Sequence, residues 1–439
     1  MILISVLARK LDLAKFGLYT LLITVAGVFS IISDFGTSYL MIREVSKDNK
    51  KKNIYFTNGT LVKLIINTLL LFLLIVSLKY FFNINYLYTT FLACLASSLL
   101  VLVNYYTAFF NAFQKMQYTA SLTAVQSSFT SLVCLAIIAY GIYEVNYLFW
   151  GHIFVNIIMI AVSIILLTKV LSINLVQFSL DFSLQFSKRS MPFGLFLLGG
   201  VIYLYTDTIM LSIMKDKSAV GLYQAPMRLI LIIEMIPMLL STALYPAISK
   251  DFINSGQRAN LLLGQALKLM LLSGLPVAIA MSICSREIIS FLFGGNFMSS
   301  IIILQILAWI IPIRFSCHIM GTALLASDKQ NLRALATGSC AILNIILNLI
   351  LIPRYSYSGA AIASLMTNGF LGVFYYQAIK QKTLVLNIEE LILPAIAGMT
   401  AMGIAIIFLK PFHTLAATIL GIVIYVACLI LMKGIVIAD

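Results

Sequence analysis

The feature that most constrains this chain is the recurrence of long apolar stretches with almost no charge. They lie near residues 16–39, 56–78, 86–112, 118–140, 147–168, 190–214, 222–247, 261–284, 299–325, 332–352, 357–379, 388–409 and 414–432. Each is about as long as a helix must be to cross some 30 Å of hydrocarbon. Short loops between them hold most of the charge. No soluble core can bury so many such segments.

Composition agrees with a membrane placement. Apolar residues make up 62% of the 439 positions and charged ones 10%, with a mean hydropathy of +1.04, whereas a soluble domain has about a quarter of its residues charged. The segments must be helices, because unpaired backbone groups are too costly in lipid. The alternating ten-residue pattern of a membrane barrel is not seen. The expected fold class is an all-α polytopic membrane protein with thirteen complete spans. Met1–Ala8, running into Arg9 and Lys10, is too short to cross, at about 1.5 Å per residue. It reads as the second half of a truncated first helix in a 14-helix plan.

Chemistry is sparse. The cysteines form no CxxC pair and His152, His318 and His413 are scattered, so buried cysteines and structural histidines are expected, with no metal and no cofactor. Neither a nucleotide-binding loop, a Rossmann glycine fingerprint, a serine-hydrolase elbow nor an HExxH pair occurs in its required context. The chain is not expected to be an enzyme. The formal net charge of +14 belongs to loops facing an anionic leaflet, and no folded soluble module is present to bind nucleic acid. If the stub starts in the cytoplasm, Arg43, Lys47, Lys50, Lys51, Lys52, Lys188 and Arg189 fall on the cation-rich cytoplasmic side, as the positive-inside rule requires. The expected location is the inner (cytoplasmic) membrane, multi-pass.

A repeat divides the spans. Ala14-Lys15-Phe16-Gly17-Leu18-Tyr19, a long apolar run and Ser46-Lys47-Asp48 recur as Ser218-Ala219-Val220-Gly221-Leu222-Tyr223, another apolar run and Ser249-Lys250-Asp251. An even number of helices separates the copies, so they cross in the same direction, as parallel repeats do. The expected organisation is an N-terminal lobe at 1–168, a cytoplasmic connector at 169–189, a C-terminal lobe at 190–383 and two additional helices within 384–439. The two six-helix lobes would surround a central cavity. The connector's intermittent Leu, Val and Phe residues allow part of it to be an amphipathic interfacial helix.

Charged groups inside spans are the candidate functional residues, since lipid does not explain them. Arg228 can hold a phosphate through two parallel bonds or pair with Asp207. Lys63 and Lys268 either line a cavity or snorkel to the surface. Arg314 follows Pro312 and is expected to face a cavity. Asp207, in Tyr203-Leu204-Tyr205-Thr206-Asp207-Thr208, can carry a proton or sodium ion or anchor a cation. Glu234, before Pro237, is either a titrating gate residue or packs against a polar neighbour.

The ordered occurrence of Ala8-Arg9-Lys10-Leu11, Phe16-Gly17-Leu18-Tyr19, Ser33-Asp34-Phe35-Gly36, Arg43-Glu44, Val220-Gly221-Leu222-Tyr223 with Ala225, Leu324-Leu325-Ala326, Asp328-Lys329-Gln330, Asn344, Asn348, Leu351-Ile352-Pro353 and Gly359-Ala360-Ala361-Ile362-Ala363 resembles the polysaccharide and oligosaccharide-lipid flippases of the multidrug/oligosaccharidyl-lipid/polysaccharide exporter superfamily. The resemblance spans residues 8 to about 380. It implies twelve or fourteen helices in two lobes and export of a prenyl-pyrophosphate-linked saccharide by alternating access, with H+ or Na+ coupling in many members. By analogy with lipid-phosphate flippases Arg43, Arg228 and Arg314 are substrate candidates; with Lys63 and Lys268, read from their place in the spans, they make the expected substrate-binding set, and Asp207 and Glu234 the expected ion-coupling pair. Membrane lipids and polysaccharide assembly proteins would be the partners. A multidrug or organic-cation antiporter and a non-transporting scaffold are the alternatives.

Overall fold

The computed structural model describes residues 1–81, 87–254, 257–380 and 388–432; the borders of the two C-terminal segments, at 381–387 and 433–439, lie outside the described residues. The described residues are almost wholly helical. In chain order the helices are α1 (Ile2–Lys10), α2 (Leu13–Asp34), α3 (Thr37–Lys47), α4 (Lys52–Phe81), α5 (Leu87–Ala112), α6 (Met116–Ala139), α7 (Val145–Leu171), α8 (Leu180–Met214), α9 (Lys217–Ile233), α10 (Met235–Asn254), α11 (Gln257–Ile283), α12 (Ser285–Phe293), α13 (Ile301–Ala308), α14 (Ile310–Ala326), α15 (Gln330–Lys380), α16 (Ile388–Leu409) and α17 (Thr414–Leu431).

Ten stretches among the described residues are long and apolar enough to cross a membrane, and Leu204–Met214 and Leu393–Leu409 add shorter apolar ones. Helix α15 is two helices joined at Ser356, whose backbone is non-helical. The protein is a multi-pass, all-helical membrane protein, and the 14-helix plan accommodates these elements.

By its internal contacts the chain forms two compact units, Met1–Tyr205 and Thr206–Asp439. The repeat is visible in each. Asp12 caps α2 by accepting from the Lys15 amide, and Asp216 caps α9 by accepting from the Ala219 amide, so both copies begin with the same device. Both then break. In the first unit Phe35 and Gly36 take left-handed backbone between α2 and α3. A Cβ at Gly36 would lie 2.4 Å from that of Phe193, so only glycine fits. In the second, α9 ends at Ile233 with Glu234 as its C-cap, and Pro237 lacks the N–H that would bond the Ile233 carbonyl.

The turn after α5 recurs as closely after α14. Gln114 and Asp328 are both left-handed. The next residues, Lys115 and Lys329, each donate a backbone N–H 2.8 Å to the carbonyl five positions back and an ammonium to a carbonyl late in the returning helix, Val170 or Ala378.

The first unit's core packs Leu40, Val62, Phe109, Phe110, Met159 and Leu167 from α3, α4, α5 and α7. In the second unit α16 and α17 pack Met402, Ile406, Tyr425 and Leu429 against Leu272 and Ile279 of α11. Large apolar side chains such as Ile65, Phe72, Leu132, Phe154 and Ile419 are exposed. In lipid such exposure costs nothing, and close packing holds the helices together.

The segment expected as a connector is partly extended and partly helical. Residues 172–179 form no helix, and α8 begins at Leu180 behind an Oγ cap from Ser179 to the Phe182 amide. The amides of Asn174 and Val176 donate to Asn53 Oδ1 and Thr57 Oγ1, and that of Ser179 to Asn58 Oδ1. Two extended residues advance about 6.6 Å and four helical residues about 6 Å. The strap therefore matches α4 in rise from Asn174 to Val176, and the match ends where Ser179 turns into α8 and bonds Asn58, next to Thr57.

Candidate functional site

Asp207, on α8, is 6% exposed, and four neutral groups surround its carboxylate. Asn344 and Asn348, one turn apart on α15, donate amide hydrogens to Oδ1 at 2.9 and 2.6 Å. The Tyr223 hydroxyl donates to Oδ2 at 2.8 Å, and the Ser364 hydroxyl donates to the same oxygen. Asn348 also donates to Asn344 Oδ1 at 3.0 Å. Asn348 Oδ1 is buried with no hydrogen-bond partner among the described residues, although buried acceptors are normally satisfied. An orphan carbonyl oxygen next to a carboxylate, together with hydroxyls and a second amide, is a donor set suited to a hard cation or a proton.

A second cluster lies in the same unit. Arg314, on α14, is 8% exposed and donates from Nη1 to Glu234 Oε2 at 2.5 Å and from Nε to Asn368 Oδ1 at 3.0 Å. Glu234 Oε1 meets His318 Nε2 at 3.2 Å. Glu234 and Arg314 are 80 positions apart, and each sits beside a helix break. Pro312 leaves the Ala308 carbonyl without its helical donor, so α13 gives way to α14 at Trp309.

Lys63 is wholly enclosed in the first unit. Its ammonium bonds Asp34 Oδ1 at 2.6 Å and Thr37 Oγ1 at 2.7 Å and lies 4.7 Å from the centre of the Tyr105 ring. Neither surface snorkelling nor an open cavity describes this position. The reason is Asp34, which ends α2 and also accepts from Ser38 in the first turn of α3, so the lysine neutralises the acid that joins two helices.

The remaining expected residues are more open. Arg43 has a half-exposed side chain, pairs with Glu44 at 2.8 Å and stacks 5.6 Å from the Phe193 ring centre. Its hydrogen bond holds the Glu44 carboxyl below the ordinary range. Arg228 in α9 and Lys268 in α11 are half-buried. Thus the structure brings Glu234 to Arg314, Asp34 to Lys63 and a ring of neutral donors to Asp207. Sequence reasoning missed the roles of Tyr223, Ser364, Asn368 and His318. The signal for some of them was present, since Asn344 with Asn348 and Ser364 with Asn368 are i, i+4 polar pairs in apolar runs and so share a helix face.

Comparison with known proteins adds a family. Residues 1–252 match the family model described as polysaccharide biosynthesis protein, and residues 192–350 match the model described as MatE. The chain is 28% identical over 171 residues to the probable low-salt glycan biosynthesis flippase Agl15 of Haloferax volcanii, covering 39% of this chain and 36% of that protein. To the probable flippase AglR of the same organism it is 27% identical over 253 residues, covering 54% and 50%. It therefore spans half or less of the length of these curated relatives. The inward closed structure of the lipid II flippase MurJ has a TM-score of 0.79 at 17% identity, covering 98% of this chain and 96% of that one. An inward-facing multidrug resistance MATE family transporter gives 0.72 at 11% identity, covering 87% and 93%. At these identities the likeness is one of fold.

Proposed function

Because this chain belongs to the polysaccharide biosynthesis protein family, we propose that it is a flippase for a prenyl-pyrophosphate-linked oligosaccharide or polysaccharide repeat unit. It acts in the cytoplasmic membrane by alternating access, and no covalent bond changes. The family match over residues 1–252 carries the reading. Cations within the spans support it, because a pyrophosphate cannot enter hydrocarbon without charged or hydrogen-bonding partners. Arg43, Arg228, Lys268 and Arg314 are the proposed contacts for the head group. Lys63 would join them only by exchanging Asp34 for substrate. The lobe plan of 1–168, 169–189, 190–383 and 384–439 belongs to the same proposal, as do assembly partners in polysaccharide synthesis.

Coupling is assigned to Asp207. Rotation of the Asn344 and Asn348 amides would turn oxygens toward the carboxylate and complete an oxygen cage for Na+, or accept a proton carried by Asp207. Glu234, tied to Arg314 and His318, would act as a gate that opens when substrate takes over the arginine.

Reconstitution with fluorescent prenyl-pyrophosphate saccharides and with drug cations, with and without H+ and Na+ gradients, tests the proposal. Saccharide flip is expected, and transport of drug cations alone overturns it. Arg228→Ala should lower flip by about ten- to a hundredfold, the equivalent of one charge-assisted bond, at unchanged protein abundance. Asp207→Asn should abolish the response to the coupling ion. Flip that never responds to either gradient removes the coupling role and leaves the flippase reading intact.

A further inference from the structure

The first unit contains a counterpart of the Asp207 site in which the acid is missing. At the 204-residue offset that relates Tyr19 to Tyr223 and Asp12 to Asp216, Asp207 corresponds to Leu3. At the 214-residue offset of the duplicated turn, Asn344 corresponds to Thr130. Tyr19 OH meets His152 Nε2 at 3.2 Å, as Tyr223 OH meets Ser364 Oγ at 3.0 Å, so His152 takes the place of Ser364. Leu3, Thr130 and His152 line one cavity of about 390 Å3. Where the second unit holds a carboxylate, the first holds a leucine beside an open space.

The cavity is uncharged, with a mostly apolar wall, from Leu3, Ile23 and Leu100 among others, into which a few polar side chains are set. None of its lining residues is Asp, Glu, Lys or Arg. Ser30, Thr130 and Ser131 donate to carbonyls of their own helices, which leaves their oxygens as acceptors. Gln126 donates to Asn156 Oδ1 at 3.2 Å, which commits one amide hydrogen and keeps its own carbonyl oxygen as an acceptor. The rings of Phe149 and Tyr205 complete the wall. A bare ion here would be desolvated without a counter-charge, which is prohibitive. A ligand with many hydroxyls and an apolar C–H face suits both kinds of wall, and the volume falls within the roughly 300–1,000 Å3 of small-molecule sites.

We infer that this cavity binds an uncharged, hydroxyl-rich ligand, a neutral sugar unit of the lipid-linked saccharide. The inference rests on the flippase reading for the origin of the sugar, and on the cavity's own chemistry for its class. The first unit thus reads the sugar at the position where the second unit carries its acid.

Binding of a methyl hexoside and of the corresponding hexuronate to the full chain in lipid nanodiscs, followed by saturation-transfer NMR, tests it. The hexoside is expected to bind, and the hexuronate about tenfold or more weaker. Gln126→Leu and Ser30→Leu should each weaken hexoside binding by about tenfold at an unchanged melting temperature. Ser131→Ala, which removes one acceptor and adds no bulk, should weaken it in the same direction and serves if either leucine variant melts early. Equal binding of hexoside and hexuronate, or hexoside binding untouched by all three variants, overturns the inference. A parallel assay compares flip of prenyl pyrophosphate with and without the neutral sugar. If the wild-type chain flips neither yet binds the hexoside through Gln126 and Ser30, the flippase reading falls and the sugar site stands.

Discussion

At the scale of single residues, close approach and buried charge dominate. A Cβ at Gly59 would lie 1.8 Å from the Tyr105 hydroxyl, which donates to the Tyr55 carbonyl at 2.7 Å in a fully buried position. Gly59→Ala should therefore destabilise the protein by about 1–3 kcal/mol, read as a lower melting temperature in detergent. The Lys63–Asp34 pair makes a sharper prediction. Lys63→Met leaves the acid without its cation and should cost about 3–5 kcal/mol, whereas Lys63→Met with Asp34→Leu should recover most of it. Equal stability of the single and double variants would show that the pair does not hold α2 to α4. That Lys63 deserved notice was legible in the sequence, because an ammonium inside an apolar run needs a reason. Its partner was not, because Asp34 lies 29 positions away on another helix and helical periodicity carries no information across helices.

At the scale of elements, start signals and breaks come from local chemistry. Asp12, Asp216 and Ser179 cap the helices that follow them, and Pro237 and Pro312 stand just beyond the ends of α9 and α13. The strap at 172–179 is different. Its polar and apolar residues fit an interfacial helix equally well in sequence, and the extended backbone is held because Asn53, Thr57 and Asn58 accept from its amides. Asn58→Ala removes the acceptor for the Ser179 amide and a partner of the Ser183 hydroxyl. Faster hydrogen exchange at Ser179 is expected, with the α4 amides unchanged; exchange at the wild-type rate would mean the strap is held by other contacts.

At the scale of the whole molecule, duplication organises the chain. Each unit has the same capped opening helix, the same interrupted crossing and the same left-handed turn with its lysine. Divergence between the copies falls on polar positions, with Asp207 in one and Leu3 in the other. The sequence by itself determined that the chain is a stack of membrane-crossing helices, because hydrophobicity and backbone hydrogen bonding in lipid are properties of each segment alone. It also exposed the repeat and marked the charged residues that lipid cannot explain. Only the tertiary structure decided which of them meet. Asp207 takes its donors from residues 16 to 157 positions away, and Glu234 finds Arg314 across two helix breaks. A charge inside a bilayer must be answered by some partner, but which one depends on helix packing, and packing is set by the shapes of all the helices at once.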